Sequence, residues 1–388
     1  MKTYNIGIIG YGGFGKFLHH WWDKLEGVKV LAISDMSLDD DLEGDVKQYK
    51  KWQDLIEHEE IDIVSVATPP AFHVEIACEA MLHNKHVLLE KPIALTNEGA
   101  ERILRIQKET GKVVTVDHMI RYNPVIQAFI ALGKEKAFGE LRHVEVSNYA
   151  QDELLPARHW FWNKTLSGGI FIEHGVHFFD IVNALTDQEV SKVYGCSHYR
   201  NERQEDQVSA TVLFNGGLIA SHYHSFSGPG FFEQTSLRLV YDLAKVEIEG
   251  WMPMKGSIKA LVNEQTKEML TLLPGFKLGE VVPVDALTDV SRPEGWGSSS
   301  DEKNNGVFCA GIEYDVKEVI TGTFEIPQPK SVVYGTCLQH ILIDLIGKVE
   351  NPAQQLGISA EDAYKALQIA VLATDDATMR STTQAEKV

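Results

Sequence analysis

The sequence predicts an α/β protein of two domains, a doubly wound parallel sheet followed by an α/β domain built on an antiparallel sheet, and three observations lead there. At 388 residues the chain exceeds the size at which one hydrophobic core usually stops growing. Its first third alternates short apolar runs with helical patterns, the signature of parallel strands joined by crossover helices. After Arg121-Tyr122-Asn123-Pro124 the rhythm changes to longer alternating stretches, which suit strands with one face on a core and the other in water. The domains are therefore expected over residues 1–121 and 122–388.

In chain order, strands are predicted at residues 4–9, 28–34, 61–67, 86–89 and 113–116, apolar on both faces as a sheet covered on both sides requires. Antiparallel strands follow at 142–149, 207–214, 218–226 and 234–240. Asn215-Gly216-Gly217 is a hairpin signal and Ser227-Gly228-Pro229-Gly230 a second break. Residues 251–306 read as irregular. Helical periodicity returns at 307–320, 332–349 and 360–374, the last opened by Ser359 as N-cap of Ser359-Ala360-Glu361-Asp362.

Composition narrows the function. With 44% hydrophobic and 23% charged residues the chain is an ordinary globular one. Its formal net charge of −19 repels polyanions, so neither nucleic acid nor an anionic membrane is an expected partner. No apolar run of bilayer-spanning length and no leader-like N-terminus stands out, and a cytoplasmic protein is expected. The four cysteines, Cys78, Cys196, Cys309 and Cys337, form no C-x-x-C pair; a reducing compartment fits them, and no zinc or redox motif arises.

The first predicted strand runs into Gly10-Tyr11-Gly12-Gly13-Phe14-Gly15, which places G-x-G-x-x-G at a strand-to-helix turn. Gly10 permits the tight turn, Gly12 lets the backbone approach a pyrophosphate, and Gly15 lets the helix sit close on the sheet. The second strand ends at Asp35, twenty positions beyond Gly15, where a carboxylate accepts from an adenosine ribose. That charge would repel a 2′-phosphate, Met36 supplies no cation, and Asp39, Asp40 and Asp41 add negative charge nearby. NAD is expected over NADP.

Leu88-Leu89-Glu90-Lys91-Pro92 closes the fourth strand, and ligands of open α/β sheets bind beyond the carboxyl ends of the strands. Lys91 is thereby aimed at the cofactor. The third strand ends in Ala67-Thr68-Pro69-Pro70-Ala71-Phe72-His73, and the second domain carries Gly168-Gly169-Ile170-Phe171-Ile172-Glu173-His174-Gly175-Val176-His177-Phe178-Phe179-Asp180. In this order, with the glycine turn, the Arg-Tyr-Asn-Pro junction and the closing helix, the motifs resemble over the whole chain the glucose–fructose oxidoreductase / inositol dehydrogenase / rhizopine-catabolism family, Gfo/Idh/MocA. The resemblance implies an N-terminal Rossmann domain, a C-terminal α/β domain with a large open antiparallel sheet, and a site in the cleft between them. It also implies that Lys91 and His177 are catalytic. Residues expected to face the cofactor are Gly10, Gly12, Gly13, Phe14, Gly15, Asp35, Thr68, Pro69, His73, Glu90 and Lys91.

The chemistry of alcohol oxidation agrees with that assignment. The hydroxyl proton must leave as hydride departs from the same carbon for nicotinamide C4. Histidine titrates near neutrality and suits the base, while a lysine ammonium stabilises the developing alkoxide. His177 as base with Lys91 as electrostatic partner is the preferred division, and the reverse proton path stays open. Glu173 stands where many family members carry aspartate. On a regular helix Glu173, His177 and Asp180 share one face, so Glu173 is expected to orient the imidazole or touch a substrate hydroxyl, as a third catalytic residue.

Substrate contacts are expected from Lys91, Arg121, Tyr122, Arg158, Trp160, Trp162, Glu173, His174 and His177, with the tryptophans stacking on a sugar ring and Arg158, His159 or Lys164 binding hydroxyls or a carboxylate. A core position for Trp160 and Trp162 is an equal alternative. His174 and His177 lack the further ligands zinc needs, so no metal is expected. His222 and His224 alternate on a strand and face one side of the sheet; lining the cleft is one reading, and half-exposed polar positions are the commoner one. Three classes of function remain: an NAD-dependent dehydrogenase of a sugar, inositol or glycoside, a redox-neutral enzyme that retains NAD, and a nucleotide-sensing regulator. An open sheet with an exposed apolar face would be covered by a second subunit, so a homodimer or homotetramer is expected.

Overall fold

The computed structural model describes residues 2–38, 45–284 and 307–385. Strands β1 (Tyr4–Ile9), β2 (Val28–Ser34), β3 (Lys47–Tyr49), β4 (Ile63–Val66), β5 (His86–Leu89) and β6 (Val114–Val116) form one parallel sheet in the order β3-β2-β1-β4-β5-β6. The chain winds outward from β1 to β3 on one side and from β4 to β6 on the other, so the carboxyl ends of β1 and β4 flank the crevice where such sheets bind ligands. Helices α1 (Gly13–Trp22), α2 (Trp52–Ile56), α3 (His73–Leu82) and α4 (Asn97–Thr110) make the crossovers. Thr96 caps α4 by accepting from Gly99 N, and Gly111 ends it in the left-handed region. β3 is a short polar edge strand that apolar patterning does not reveal.

Asn123 accepts from Val125 N at 2.9 Å and Pro124 fills the first position of α5 (Pro124–Lys134), both favoured at a helix start. Beyond it come β7 (Leu141–Gln151), α6 (Lys164–Ser167), α7 (Val176–Ala184), β8 (Val190–Asn201), β9 (Gln204–Phe214), β10 (Ile219–Gly228), β11 (Gln234–Tyr241), β12 (Ala244–Glu249), β13 (Lys255–Val262), α8 (Glu264–Met269), β14 (Lys277–Pro283), β15 (Val307–Cys309), β16 (Ile312–Tyr314) and β17 (Glu318–Glu325). Nine of these strands form a sheet ordered β14-β17-β13-β12-β11-β7-β10-β9-β8. It is antiparallel except where β7 and β10 run parallel. Asn215-Gly216-Gly217 joins β9 to β10 as a hairpin, with Gly217 at φ +94°.

Two expectations for this half are corrected. The described part of the segment read as irregular holds β13, α8 and β14; β13 alternates buried and exposed side chains. The helix expected at 307–320 is instead the β15–β16 hairpin and the start of β17. Ala310 and Gly311, at φ +50° and +79°, form a tight turn that no helix accommodates.

One face of the large sheet packs on helices. The other is charged on β11 and β12, where Arg238 pairs with Glu145 and Glu247 and where Lys245 and Glu249 are exposed. The outward face is thus charged on β11 and β12, while Ile219 on β10 and Leu278 and Val281 on β14 are exposed apolar positions.

The closing helices α9 (Lys330–Glu350) and α10 (Ala360–Ala385) return to the first domain. Trp22 Nε1 donates to Leu338 O at 3.0 Å, and Thr115 Oγ1 donates to Ile358 O at 2.8 Å. Ser359 and Asp362 cap α10 reciprocally: Asp362 N donates to Ser359 Oγ and Ser359 N to Asp362 Oδ2. By length and composition α9 passes as a membrane-spanning helix, a segment the sequence reading overlooked. It packs Leu338, Ile341, Leu342 and Leu345 fully inside this fold, as a core helix does.

Candidate active site

The glycine turn after β1 is shaped by its own backbone. A Cβ on Gly10, which sits at φ +93°, would lie 2.5 Å from Ala67 O, and one on Gly15 would lie 2.1 Å from Gly10 O. On Gly12 and Gly13 an added Cβ meets no atom within 4 Å. The protein does not use that space, which lies over the start of α1, where N–H groups and the helix dipole favour a pyrophosphate.

Asp35, just past β2, accepts from Tyr11 N at 2.8 Å, Ser37 N at 2.9 Å and Ser37 Oγ at 2.7 Å. Burial pushes its carboxyl up, but these donors and Lys16 outweigh burial and hold it below its ordinary value. It stays a charged acceptor suited to ribose hydroxyls, and the turn and the acid together fit a dinucleotide. Met36 beside it is 89% exposed. Asp39, Asp40 and Asp41 lie outside the described residues.

Beyond the carboxyl ends of β4, β5 and β6 a cavity of about 350 Å³ opens between the domains. Phe14, Thr68, Pro70, Glu90, Lys91, Asp117 and Met119 line it from the first domain, Trp160, Glu173, His174, His177 and Trp251 from the second, and Tyr334 from the closing helix α9. Lys91, in a Lys91–Pro92 cis peptide, sends its ammonium to Glu173 Oε1 at 2.6 Å and to Glu173 O at 2.9 Å.

Glu173 and His177 both line the cleft, whereas Asp180 does not. Phe171–Gly175 forms a π-helical turn ahead of α7, and its wider i to i+5 winding breaks the regular spacing. Glu173 turns to Lys91, and Asp180 turns to Arg121.

His177 is buried, its ring packed edge-on to His118, His174 and Trp251 at 6.2, 6.0 and 5.8 Å. Its Nδ1 finds no protein partner among the described residues. Burial first, then Lys91 and the neighbouring imidazoles, holds it well below its ordinary pKa, so the ring is neutral at physiological pH. Burial and Lys91 bring His174 down to about 3. His222 and His224 are fully buried against Phe179 and Phe178, which corrects the half-exposed reading.

Several expected contacts belong to the scaffold instead. Arg121 is buried and gives Asp180 two bonds of 2.7 Å, with Asp362 at 3.4 Å. Tyr122 donates to Asp344 at 2.6 Å. Trp162 is a core residue whose Nε1 donates to Leu155 O, Lys164 pairs with Glu205 at 2.7 Å, and His159 Nδ1 accepts from Phe161 N. Arg158 is exposed outside the cleft. His73 is buried between Pro92 O at 2.7 Å and Thr68 O at 2.9 Å, tying the loops after β4 and β5 together, with burial lowering its pKa to about 4. Pro70 rather than Pro69 lines the cleft.

Ala67 and Pro70 line the cleft from the motif after β4, and four further lining residues lie outside every motif the sequence offered. Asp117 and Met119 follow β6, where the strand-end rule points as it does for Lys91. Trp251 sits in a segment read as irregular, and Tyr334 is on a helix read as packing only.

Two sequence profiles match in tandem: that of the oxidoreductase family with an NAD-binding Rossmann fold, GFO_IDH_MocA, over residues 4–118, and that of the GFO/IDH/MocA C-terminal domain over 126–244. The chain belongs to the Gfo/Idh/MocA family. Among curated relatives, a 2,7-anhydro-N-acetylneuraminate hydratase from Mediterraneibacter gnavus is 26% identical over 57% of this chain and 61% of its own length. A glycosyl hydrolase family 109 protein from Shewanella baltica is 26% identical over 45% of this chain and 43% of its own. The chain thus spans about three fifths or less of these relatives. The fold is shared with scyllo-inositol dehydrogenase from Lactobacillus casei, solved with NAD(H) and scyllo-inositol, at TM-score 0.69 and 17% identity over 98% of both chains.

Proposed function

We propose that this Gfo/Idh/MocA protein is an NAD-dependent dehydrogenase that oxidises a hydroxyl-bearing carbon of a sugar, cyclitol or glycoside. The observation that carries the reading is the meeting of Lys91, from the loop after β5, with His177, from α7, on one cleft beside the dinucleotide turn. NAD supplies the hydride acceptor. Lys91, held by Glu173, binds the substrate oxygen and stabilises negative charge as the hydroxyl proton departs. His177, kept neutral by burial, has a free ring lone pair to accept that proton. Trp160, Trp251 and Tyr334 offer flat apolar surface to a ring and exclude water. NAD is favoured over NADP because the Asp35 carboxylate is charged and its neighbour Met36 cannot neutralise a 2′-phosphate.

The test is purified protein with NAD and a panel of sugars, cyclitols and glycosides, followed by the absorbance of reduced nicotinamide. Steady accumulation with at least one panel member is expected. The names of the two curated relatives, a hydratase and a glycosyl hydrolase, favour a second reading, a redox-neutral enzyme that retains its cofactor. Product formation without net reduced cofactor would select it. Cofactor binding without turnover of any panel member would count against both.

A further inference from the structure

Gly168-Gly169 opens the segment that brings Glu173, His174 and His177 to the cleft, and there it meets a buried carboxylate of the large sheet. Glu205, at the start of β9 and 7% exposed, accepts from Ile170 N at 2.9 Å through Oε2 and from Lys164 Nζ at 2.7 Å through Oε1. Gly169 sits at φ +93°, and a Cβ on it would lie 2.8 Å from Glu205 Oε2. Glycine takes that backbone conformation without strain and lets the carboxylate come this close. Burial works against the Lys164 ammonium, but Glu205 and Tyr199 outweigh it and hold the pair charged.

From Glu205 the hydrogen bonds run on to Lys91. The Ile170 N–H precedes the π-helical turn Phe171–Gly175, where a helical segment leaves its first N–H groups without acceptors of its own, and Glu205 supplies one. Glu173 N then donates to Gly169 O at 2.9 Å. Glu173 in turn holds Lys91 Nζ twice, on its carbonyl oxygen at 2.9 Å and on its Oε1 at 2.6 Å. A lysine ammonium has three N–H donors. With two of them on Glu173, one is left, among the described residues, for the cleft that Lys91 lines.

We propose that Glu205 is a positioning residue for the reaction: by holding the Ile170 N–H it fixes the turn that carries Glu173, and Glu173 then leaves Lys91 a single N–H to offer one substrate oxygen. An ammonium released from Glu173 would have all its donors to spread over neighbouring hydroxyls, and the geometry at the reacting carbon would loosen. Glu205 touches neither the cleft nor Lys91. Its effect passes through the backbone of residues 169–173.

The inference rests on the reading of Lys91 as the group that binds the substrate oxygen, so two of its three readouts need no turnover. They are amide hydrogen exchange at Ile170 and Glu173, and acylation of Lys91 by trace acetic anhydride followed by mass spectrometry, both on the full chain. The two variants separate the two bonds of Glu205. Glu205→Asp keeps a charge for the flexible Lys164 but is one methylene too short for Ile170, whereas Glu205→Gln keeps an oxygen for Ile170 and loses the charge. In wild type both amides should exchange slowly. Glu205→Asp should speed them about tenfold, the scale of one buried hydrogen bond, and make Lys91 react severalfold faster. With whichever panel member is converted, it should also lower turnover about tenfold while NAD affinity stays nearly unchanged. Glu205→Gln should stay near wild type in all three. Amides that exchange in wild type as fast as those of exposed loops would overturn the proposal whether or not a variant folds. So would a Glu205→Asp protein with unchanged exchange and acylation, or one that loses NAD affinity in step with turnover. The reverse order, with Gln impaired and Asp normal, would assign the effect to the Lys164 ion pair and overturn the route through Ile170. If wild type converts no panel member, the dehydrogenase reading fails, and exchange and acylation still decide whether Glu205 holds Glu173 on Lys91.

Discussion

The two walls of the cleft bury titratable groups in opposite ways. The first domain contributes carboxyls, Glu90 and Asp117, beside the Lys91 ammonium; the second contributes imidazoles, His174 and His177, with His222 and His224 behind them and His118 against them from the domain junction. Burial raises the carboxyls and lowers the imidazoles, because either kind of group loses stability when it is charged away from water. One wall thus disfavours the ionised form of its carboxyls, while the other disfavours the ionised form of its imidazoles. A proton leaving a substrate between them meets acceptors of two different strengths.

The largest expected effect concerns the tie between the walls. Asp180→Ala leaves Arg121 buried without its carboxylate, which should destabilise the protein by about 3–5 kcal/mol, read as a fall in urea midpoint. A variant that unfolds like wild type would mean that Arg121 finds solvent or Asp362 at no cost, and the walls would be less rigidly joined than described.

Next come the reacting groups. Lys91→Ala and His177→Ala should each reduce turnover by about 10²-fold or more with NAD affinity nearly unchanged. Near-normal turnover in either removes that residue from the mechanism and leaves its wall a spectator.

The imidazole wall has a pH signature. A histidine whose folded pKa is depressed contributes stability that is fully present above its unfolded value near 6.5 and lost as pH falls towards the folded value, about 3 for His174. Each such residue should cost about 1.4 kcal/mol per pH unit in that window. The carboxyl wall has the opposite sign: raised carboxyls stabilise fully below their unfolded values and lose that contribution as pH rises, so acidification relieves one wall while it strains the other. Thermal melting from about pH 7 to about pH 5 should show a falling midpoint that flattens in His222→Phe. A midpoint flat with pH in wild type would show that the imidazoles are hydrated.

The smallest effect separates the two roles open to Glu173. Because its carboxylate holds Lys91, Glu173→Gln should lower turnover by about tenfold while leaving the acidic limb of the pH–rate profile in place, and Glu173→Asp should recover part of the loss. A limb that moves would place Glu173 with His177 after all.

Legibility in the sequence followed burial. β1, β2 and β5 have the bounds their apolar runs predict, because strands buried on both faces admit few alternatives. β3, three residues at a polar edge, left no such trace. The error at 307–320 came from reading helical spacing across Ala310-Gly311, a turn whose backbone only the structure displays. The bond from Lys91 to Glu173 was not legible, because it joins distant parts of the chain, and neither was the π-helical turn that carries Glu173. Lys91 and His177, singled out because motifs carried them, both line the cleft. Arg121 and Asp180 were visible as residues, yet their mutual bond is between distant parts of the chain, and spacing says nothing about such pairs.

The return of α9 to the first domain bears on how the protein is made. Its Gly335 lies so close to the Trp21 ring that a Cβ would sit 2.0 Å away, and Trp22 Nε1 takes its acceptor from Leu338. A ribosome therefore releases the entire dinucleotide-binding sheet, its α1 flank bare, more than two hundred residues before the helix that seals it emerges. Throughout that interval the indoles of Trp21 and Trp22 lack the helix they pack against, and incompletely packed apolar surface is what chaperones capture.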